Sequence, residues 1–379
     1  MSWPDFWIKK TWKTRLLSPL GKLVCQLASN RWQKFQAAAV TSQSTQQVSS
    51  QELSDLHTLE KSLPVCVVGN IVVGGTGKTP FIIWLVKELQ QRGIKVGIVS
   101  RGYGGKSKQW PQSVTAESDP HLVGDEPVML AKNLAVPVAV SPKRQQAVEL
   151  LSQTTDCDWL ISDDGLQHYA MPRAMQLVLV DAQRLFGNQL CMPAGPMREP
   201  LAKIAAVDAV ILNGPKPANF VENLQTDLGE ELPNLLTAEM QLQPVCLRNL
   251  LDPKQTVSLQ HLKEAKLFAM AGIGNPQRFF DSLQDLGAQL TAQAFPDHHA
   301  YNEAELRQFL GMQFADSLVF TEGETQSLNN ALLMTEKDAV KCLPLAQSLQ
   351  AKNWWYLQIS PQVDSALLEH IIQKMQAAK

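Results

Sequence analysis

A lysine and a threonine that follow closely spaced glycines are the residues of this sequence best suited to chemistry. The segment from Val65 to Pro80 reads VCVVGNIVVGGTGKTP, in which Lys78 and Thr79 come directly after Gly77. This is the pattern of a buried strand, a glycine-rich loop and the first turn of a helix. Backbone N–H groups of such a loop surround a phosphate, and the positive end of the helix faces it. The sequence therefore predicts a nucleoside triphosphate site.

The loop residues have separate expected tasks. Those expected to bind the nucleotide are Val72, Val73, Gly74, Gly75, Thr76, Gly77, Lys78 and Thr79. Lys78 would reach the β- and γ-phosphates, and the Thr79 hydroxyl would bind Mg²⁺. Val72 departs from the usual phosphate-loop pattern, which has a glycine there. A glycine-rich turn with an accidental Lys-Thr pair is the alternative interpretation.

Acidic residues stand where other predicted strands end. Asp163 and Asp164 follow the apolar run that begins at Trp159, as in the second motif of nucleoside triphosphatases, where an Asp holds Mg²⁺ directly or through water. A turn or a helix cap is the alternative, because Asp-Asp-Gly is also favourable turn chemistry. Arg198 and Glu199 adjoin each other in a Pro- and Gly-rich loop, where they could clamp phosphate and metal.

Short apolar runs alternate with helical stretches along most of the chain, which predicts an α/β fold with a mostly parallel sheet covered on both faces. Ligands of such sheets bind at the carboxyl ends of the strands. Two alternating segments around Asp252 predict a two-stranded linker to a smaller α/β domain that has no phosphate loop. The predicted divisions are an amphipathic helix at 1–36, a P-loop domain at 37–234, the linker at 235–260 and the smaller domain at 261–379.

The N-terminal residues combine aromatic, basic and apolar side chains with one acid, Asp5. An apolar stripe at helical spacing predicts a helix that lies in a membrane interface near anionic lipid. Packing of the same helix on the protein's own core is the alternative. Pro19 is expected to kink or split the helix. Residues 38–62 are rich in Ser, Gln and Thr and predict a solvated connection with a short helix around 52–61.

Composition excludes several classes of protein. The chain has 379 residues, 45% of them hydrophobic, which suffices for one large core or two smaller ones. Its net charge of -2 provides no global field for nucleic acid. The six cysteines are scattered without a Cys-x-x-Cys pair, so we expect reduced thiols in a cytoplasmic protein. The sequence contains no run of about 18 or more apolar residues, so no ordinary transmembrane helix is predicted.

The motifs, taken together and in order, resemble the tetraacyldisaccharide 4'-kinase (lipid A 4'-kinase) family. They are Gly-Asn-x-x-x-Gly-Gly-Thr-Gly-Lys-Thr-Pro at 69–80, Arg-Gly-Tyr-Gly at 101–104, Gly-Asp-Glu-Pro at 124–127, Asp-Asp-Gly-Leu-Gln-His at 163–168, Pro-Ala-Gly-Pro-Met-Arg-Glu-Pro at 193–200, Gly-Ile-Gly-Asn-Pro-x-Arg-Phe-Phe at 272–280, Asp-His-His at 297–299 and Met-Thr-Glu-Lys-Asp-Ala-Val-Lys-Cys at 334–342. The resemblance extends from about residue 64 to 360. Val72 is no departure within this family.

The resemblance implies a MgATP-dependent kinase. Its substrate would be the 4'-hydroxyl of tetraacyldisaccharide 1-phosphate, a lipid A precursor, its product lipid IVA, and its location the cytoplasmic face of the bacterial inner membrane. Asp125 would act as base, with His298 orienting it, and Lys78 would hold the transferred phosphate. The implied metal residues are Thr79, Asp163, Asp164 and Glu199. The candidates for the disaccharide and its phosphate are Tyr103, Arg144, Gln167, His168 and Arg198.

Two other functions fit a phosphate loop. A kinase of a small soluble metabolite would not need the N-terminal helix and would not depend on detergent or lipid. A nucleotide-driven switch would order its loops with nucleotide and form no phosphorylated product.

Overall fold

The computed structural model describes residues 3–44, 63–232, 235–297, 299–319 and 328–378. The helix predicted around 52–61 and the predicted catalytic residue His298 lie outside these ranges. The α-helices are α1 (Asp5–Ile8), α2 (Trp12–Ser44), α3 (Lys78–Gln91), α4 (Pro120–Val123), α5 (Asp125–Asn133), α6 (Arg144–Thr154), α7 (Phe220–Leu228), α8 (Pro276–Asp285), α9 (Glu303–Leu310), α10 (Phe314–Leu318), α11 (Glu336–Leu349) and α12 (Ser365–Ala377).

Most of the strands lie where apolar runs predicted them. They are β1 (Val65–Gly69), β2 (Val96–Ser100), β3 (Gln112–Val114), β4 (Val138–Val140), β5 (Trp159–Asp163), β6 (Met175–Asp181), β7 (Ala209–Asn213), β8 (Leu236–Asn249), β9 (Thr256–Val257), β10 (Lys266–Ala271), β11 (Gln289–Ala294), β12 (Leu332–Thr335) and β13 (Trp354–Val363). Every residue of β1, β2, β5 and β7 is buried, as a sheet covered on both faces requires.

The chain forms two compact units. The first unit comprises Trp3–Gln241 together with the segment from Gln362 onward, and the second comprises Leu242–Pro361. Both divisions fall inside strands, one in β8 and one in β13. Within the linker predicted at 235–260, β9 pairs antiparallel with the end of β8.

The first unit has the strand order β8-β7-β6-β1-β5-β2-β4-β3. All neighbours run parallel except β3, which is antiparallel to β4. Strands β1 and β5 adjoin in a register that pairs Val68 with Asp163. The phosphate loop after β1 and the acids that end β5 therefore begin at the same edge of the sheet.

The second unit is built on the order β11-β10-β12-β13-β8. Strands β11, β10, β12 and β13 are parallel to their neighbours. Leu267, Leu333 and Trp355 are fully or almost fully buried in its core. The sequence predicted a smaller α/β domain at 261–379, whereas this unit comprises Leu242–Pro361.

The last helix groups with the first unit, whereas the sequence division assigned it to the smaller domain. Helix α12 packs against β6, and Lys374 forms an ion pair with Asp208. Glu369 of the same helix lies 3.8 Å from Arg92. Because β13 carries the chain from one unit to the other, the closing helix packs beside a strand that is distant in sequence.

Pro19 was expected to kink or split the N-terminal helix, and a split is excluded, because α2 is one continuous helix through Pro19, at the cost of one backbone hydrogen bond. Cys25 of α2 and Cys191 form a disulfide with a Cα–Cα distance of 5.6 Å, although reduced thiols were predicted. The two residues are 166 positions apart, so no short cysteine spacing signals the pair. None of the helices that the structure describes combines the length and apolar character needed to span a bilayer.

Candidate active site

Two glycines give the phosphate loop its shape. Gly74 and Gly77 have φ of 105° and 91°, in the region that favours glycine. A Cβ on Gly77 would lie 2.5 Å from Nδ2 of Asn213, so no larger residue fits at that position without movement. Helix α3 begins directly afterwards at Lys78. Its first-turn N–H groups lack intrahelical partners and face the loop, as anion binding requires.

The first part of the loop is held by the protein itself. Val72 pairs with Met197 in an isolated bridge, and the Val73 N–H donates to the Pro196 carbonyl at 2.9 Å. The Val73 carbonyl accepts a hydrogen bond from Trp3 Nε1 at 3.1 Å. The N–H of Val73 is therefore engaged away from any phosphate, although the sequence assigned Val73 to the nucleotide.

The next residues are available to a ligand. Gly74 and Gly75 are exposed, and Lys78 and Thr79 are partly exposed. Thr76 is buried, and its carbonyl accepts a hydrogen bond from Asn213 Nδ2 at 3.2 Å. The loop thus has an anchored beginning and an open stretch that leads into α3.

Asn70 is a site residue that the motif analysis did not single out. Its buried amide donates to the Gly74 carbonyl and to Thr76 Oγ1, both at 3.3 Å. Its Oδ1 accepts a hydrogen bond from Arg198 Nη1 at 3.0 Å. A polar residue directly after an apolar strand was the available signal, and this amide fixes the loop from inside.

Asp164 collects the cations of the site. Both of its carboxylate oxygens accept hydrogen bonds from Arg198 Nη1 at 3.0 Å, and Lys78 Nζ lies 3.5 Å from Oδ1. Burial opposes its charge, but Lys78, Arg198 and Arg144 outweigh burial and lower the pKa of Asp164 to about 2. The residue has φ of 51°, which Asp tolerates better than most side chains.

Asp163, the last residue of β5, has the opposite electrostatics. Its Oδ2 accepts a hydrogen bond from Ser100 Oγ at 3.4 Å, whereas its buried Oδ1 has no hydrogen-bond partner in the described structure. Burial, followed by the charge of Glu126, raises the pKa of Asp163 to about 7. An unsatisfied buried carboxylate oxygen beside a phosphate loop is suited to a cation or to a water that a cation holds.

Two predicted substrate residues, Arg144 and His168, contact each other, and Arg144 also contacts the backbone of Asp163 and Asp164. The Arg144 guanidinium is buried and donates to the carbonyls of Asp163 and Asp164 at 3.2 and 2.8 Å. The Arg144 N–H donates to His168 Nε2 at 3.1 Å, which requires that nitrogen to be unprotonated. Burial and nearby arginines lower the pKa of His168 in the same sense. Arg144 thus holds the backbone carbonyls of Asp163 and Asp164, and His168 accepts a hydrogen bond from the backbone of Arg144.

Glu199 accepts hydrogen bonds at both oxygens. Gln167 Nε2 donates to Oε2 at 3.0 Å, and the Tyr169 hydroxyl donates to Oε1. The same Gln167 nitrogen donates to the Asn70 carbonyl at 3.0 Å. Gln167 therefore connects Glu199, in the Pro-Ala-Gly-Pro-Met-Arg-Glu-Pro segment, with the beginning of the phosphate loop. Tyr169, which the sequence analysis missed, holds the other oxygen of Glu199.

The predicted base occupies a helix start beside a glycine-rich turn. Asp125 is the first residue of α5, and its Oδ1 accepts a hydrogen bond from the Glu126 N–H at 3.0 Å. The preceding Gly124 has φ of 95°, and a Cβ there would lie 2.6 Å from the Tyr103 carbonyl. The Gly-Asp-Glu-Pro and Arg-Gly-Tyr-Gly motifs are thus in contact. The Tyr103 side chain is exposed.

His299 follows the predicted residue His298 and was the less favoured alternative to it as the partner of Asp125. His299 Nε2 lies 3.1 Å from Glu305 Oε2, and its ring stacks on Phe295 with centroids 4.9 Å apart. These contacts show His299 packed within its own unit. His298, which was preferred as the partner of Asp125, stays a prediction.

The predicted Mg²⁺ residues suit a cation that the nucleotide also coordinates. No group of three or more His, Cys, Asp and Glu side chains in the described ranges forms a metal cage. Mg²⁺ is typically held by one or two protein oxygens together with water and phosphate. Asp163 with its unsatisfied oxygen and Thr79 at the first turn of α3 meet that requirement, with Asp164 adjacent. Both oxygens of Glu199 already serve protein donors.

A parallel sheet with a glycine-rich loop, a first-turn Lys-Thr pair and acids at the neighbouring strand end defines a P-loop nucleotide-binding protein. Residues 14–376 match the family model described as tetraacyldisaccharide-1-P 4'-kinase, and the chain belongs to that family. The family and the fold class predicted from the sequence are thereby confirmed.

Individual relatives agree over nearly the whole chain. A tetraacyldisaccharide 4'-kinase of Hydrogenovibrio crunogenus is 42% identical over 378 residues, covering 99% of this chain and 98% of that protein. A tetraacyldisaccharide 4'-kinase of Methylobacillus flagellatus is 45% identical over 319 residues, 84% of each chain. The crystal structure of LpxK from Aquifex aeolicus in complex with ATP is similar, with a TM-score of 0.67 and 26% identity over 96% of this chain and 99% of that one.

The two aspartates should affect stability in opposite directions. The folded pKa of Asp163 lies above its ordinary value of 3.8, so its contribution is greatest below about pH 4 and is lost as the pH rises through about 7. The folded pKa of Asp164 lies below 3.8, so its contribution is present above that value and is lost as the pH falls towards 2. At pH 8, Asp163→Asn should raise the melting temperature and Asp164→Asn should lower it.

Thermal melts between pH 4 and pH 8, in the presence of a chelator, provide the measurement. The gain from Asp163→Asn should disappear at pH 4, where the native carboxyl is already neutral. Each variant is the matched control for the other, because the two residues adjoin. Shifts of the same sign at pH 8 would contradict the opposed electrostatics.

Proposed function

We propose that this protein transfers the γ-phosphate of ATP to the 4'-hydroxyl of tetraacyldisaccharide 1-phosphate, which yields the lipid A precursor lipid IVA. The observation that carries the proposal is the convergence of Lys78, Arg198 and Asp164 beside an open phosphate loop. Family membership supports this choice of acceptor. A kinase needs an acceptor hydroxyl and a base for its proton, whereas a nucleotide-driven switch needs neither.

The phosphate loop and its cations would bind the triphosphate. The N–H groups of the exposed Gly74 and Gly75 and of the first turn of α3 would donate hydrogen bonds to phosphate oxygens. Lys78 would neutralise the charge of the transferred phosphoryl group. Lys78 Nζ lies 3.5 Å from Asp164 Oδ1, at the end of the neighbouring strand. Thr79, Asp163 and Asp164 would hold Mg²⁺, which supplies charge neutralisation when it is bound. A metal role for Glu199 is a further part of this proposal.

Asp125 would accept the proton of the sugar hydroxyl. The hydroxyl oxygen then bonds to the γ-phosphorus as the bond to the β-phosphate oxygen breaks, so that ADP leaves and the proton remains on the carboxylate. Its position at the start of α5, in contact with the Tyr103 loop, supports this role. His298 would orient this base. The acceptor's sugar and phosphate would contact Tyr103, Gln167 and Arg198, with Arg144 and His168 behind them.

The outer face of α2 suits a lipid surface. Apolar side chains that are each more than half exposed recur at spacings of three or four along α1 and α2: Ile8, Trp12, Leu16, Leu20, Leu23 and Leu27. Helix α2 contains no acidic residue and five basic ones, Lys13, Arg15, Lys22, Arg31 and Lys34. We infer that this stripe lies in the headgroup region of the cytoplasmic face of the inner membrane.

Trp3 and Trp7 differ from the stripe. Their indole N–H groups donate to the carbonyls of Val73 and Pro193 at 3.1 and 3.0 Å. These two tryptophans therefore attach the N-terminus to the loops of the site.

Replacing Lys78 with Ala should abolish phosphate transfer to the lipid and leave the fold intact, because the ammonium balances phosphate charge. The measurement is transfer from γ-labelled ATP to tetraacyldisaccharide 1-phosphate in mixed micelles, with a small sugar as the alternative acceptor. Lys87→Ala, on the exposed face of the same helix, is the matched control. Retained turnover in Lys78→Ala, or preferential labelling of the small sugar, would refute the proposal.

Replacing Asp125 with Asn should lower kcat by roughly 10² to 10⁴, the usual contribution of a general base, with ATP affinity little changed. Steady-state kinetics and nucleotide titration measure the two quantities separately. Asp119→Asn, at the cap of the preceding α4, tests for loss of local structure alone. A loss of activity that weaker ATP binding fully explains would remove Asp125 as the base.

Replacing Leu16, Leu20 and Leu23 together with Ser should strongly reduce binding to anionic vesicles, because the apolar contact is lost. Sedimentation with vesicles of phosphatidylglycerol measures this binding. Turnover of a short-chain substrate in detergent should change little, since these side chains face away from the protein. Undiminished sedimentation would exclude the stripe as the contact surface.

A further inference from the structure

A buried lysine lies between the outer helix and the site. Lys203, in the 3-10 helix Leu201–Ala206, is only 2% exposed. Its Nζ is 5.1 Å from the centre of the Trp32 ring of α2 and 4.9 Å from that of the Tyr169 ring. Both distances are within the range of cation–π attraction. The mechanism proposed above uses none of these three residues.

The tyrosine continues the contact towards the phosphate loop. Its hydroxyl donates to Glu199, which also accepts from Gln167, and Gln167 donates to the carbonyl of Asn70. Each link is a ring contact or a hydrogen bond between buried or half-buried groups. The series leads from α2 to the residue that holds the loop from inside.

The lysine is held at a cost that argues for a task. Burial lowers the pKa of its ammonium to about 8, whereas the charge of Glu199 favours the protonated form. A methionine or leucine would fill the same space without desolvating a charge. A cation at this point instead attracts both rings and the carboxylate, and so restricts where the Tyr169 hydroxyl can lie.

The inner face of α2 is fixed at three further points. The Cys25–Cys191 disulfide joins it to the segment that leads to Glu199, and a Cβ on Gly21 would lie 2.7 Å from the Cys191 carbonyl. Thr14 is buried on the same face and donates to the Phe6 carbonyl. Trp32 follows Gly21 and Cys25 at helical spacing, so its contact with Lys203 extends an already close packing.

We propose that Lys203 and Tyr169 are positioning residues, which fix Glu199 and Gln167 beside the phosphate loop and rest on Trp32 of the amphipathic helix. They act through Glu199 and need not touch substrate. This inference deepens the proposed function and rests on it for the catalytic readout. Helix α2 would then do more than attach the protein to a membrane, because Trp32 on its inner face contacts Lys203.

The first test compares Lys203→Met with Lys203→Arg, and Tyr169→Phe with Tyr356→Phe. Tyr169→Phe should lower kcat for lipid phosphorylation about tenfold, the effect of losing one hydrogen bond to a charged group, with KM for the lipid nearly unchanged. Lys203→Met, which removes the cation that attracts the Tyr169 ring and Glu199, should lower kcat to a similar extent. Lys203→Arg retains a cation that stacks on rings and should restore most of kcat. Tyr356 lies in the second unit on β13 and controls for the loss of the hydroxyl of a half-buried tyrosine.

A double variant distinguishes positioning from general destabilisation. If both residues act through Glu199, Lys203→Met with Tyr169→Phe should be no slower than the slower single variant. Losses that multiply, or Lys203→Arg as slow as Lys203→Met, would overturn the proposal. Thermal melts of every variant identify any that is unfolded at the assay temperature. If Lys203→Met is unfolded, the single variants Lys203→Arg and Tyr169→Phe, which are milder substitutions, carry the test.

Trp32→Leu tests the helix end of the series against Trp12→Leu, on the outer stripe of the same helix. Trp32→Leu should lower kcat in detergent, and Trp12→Leu should lower vesicle binding without lowering kcat. Equal effects of the two variants on kcat would overturn the part assigned to Trp32.

ATP titration of the wild type and of Lys203→Met separates this inference from the proposed function. A wild type that labels lipid, with kcat unchanged in Lys203→Met, defeats the inference alone. A wild type that labels no lipid defeats the proposed function. ATP binding about threefold or more weaker in Lys203→Met would then support the positioning role, because the series ends at the phosphate loop. Unchanged ATP binding in that case would overturn the role as well.

Discussion

The site depends on a buried pair of adjacent carboxylates whose environments differ. Asp164 is surrounded by Lys78, Arg198 and Arg144, which stabilise its charge, whereas Asp163 is buried beside Glu126 with one oxygen unsatisfied. Two like charges this close are unfavourable unless cations compensate them. Before ligands bind, Asp164 takes most of that compensation from the protein. Asp163 Oδ1 has no hydrogen-bond partner in the described structure, and the proposed Mg²⁺ would provide the missing positive charge.

The phosphate loop is rigid because the protein satisfies its inner polar groups. Asn70 bonds to the loop at two points, Asn213 holds the Thr76 carbonyl, and Trp3 and Pro196 engage Val73. Under the proposed function the exposed glycines would bind phosphate without first ordering the chain, which would lower the entropic cost of binding. This anchoring also accounts for valine at position 72 of this chain, since that residue is buried and pairs with Met197.

The sequence predicted the parts of the site that are local in the chain. A strand, loop and helix in succession located Lys78 and Thr79, and an apolar run that ends in acid located Asp163. The supporting contacts were invisible, because Tyr169 reaches Glu199 across 30 positions and Trp3 reaches Val73 across 70. The closing helix was assigned to the wrong body for the same reason, since strand order decides which residues meet. Helix α2 passes Pro19 because its inner face is held elsewhere, which local propensity does not express.

Helix α2 has two faces whose residue types differ. Leucines at the outer positions are more than half exposed, whereas Gly21 and Cys25 on the inner face allow close approach to the Cys191 segment. A helix bound only to lipid would need neither a glycine at a tight contact nor a tryptophan against a buried lysine. A helix bound only to protein would not expose a row of leucines. Under the proposed function the same segment would serve both the membrane contact and the support of the site, and a change on its inner face should affect chemistry even where lipid binding is intact.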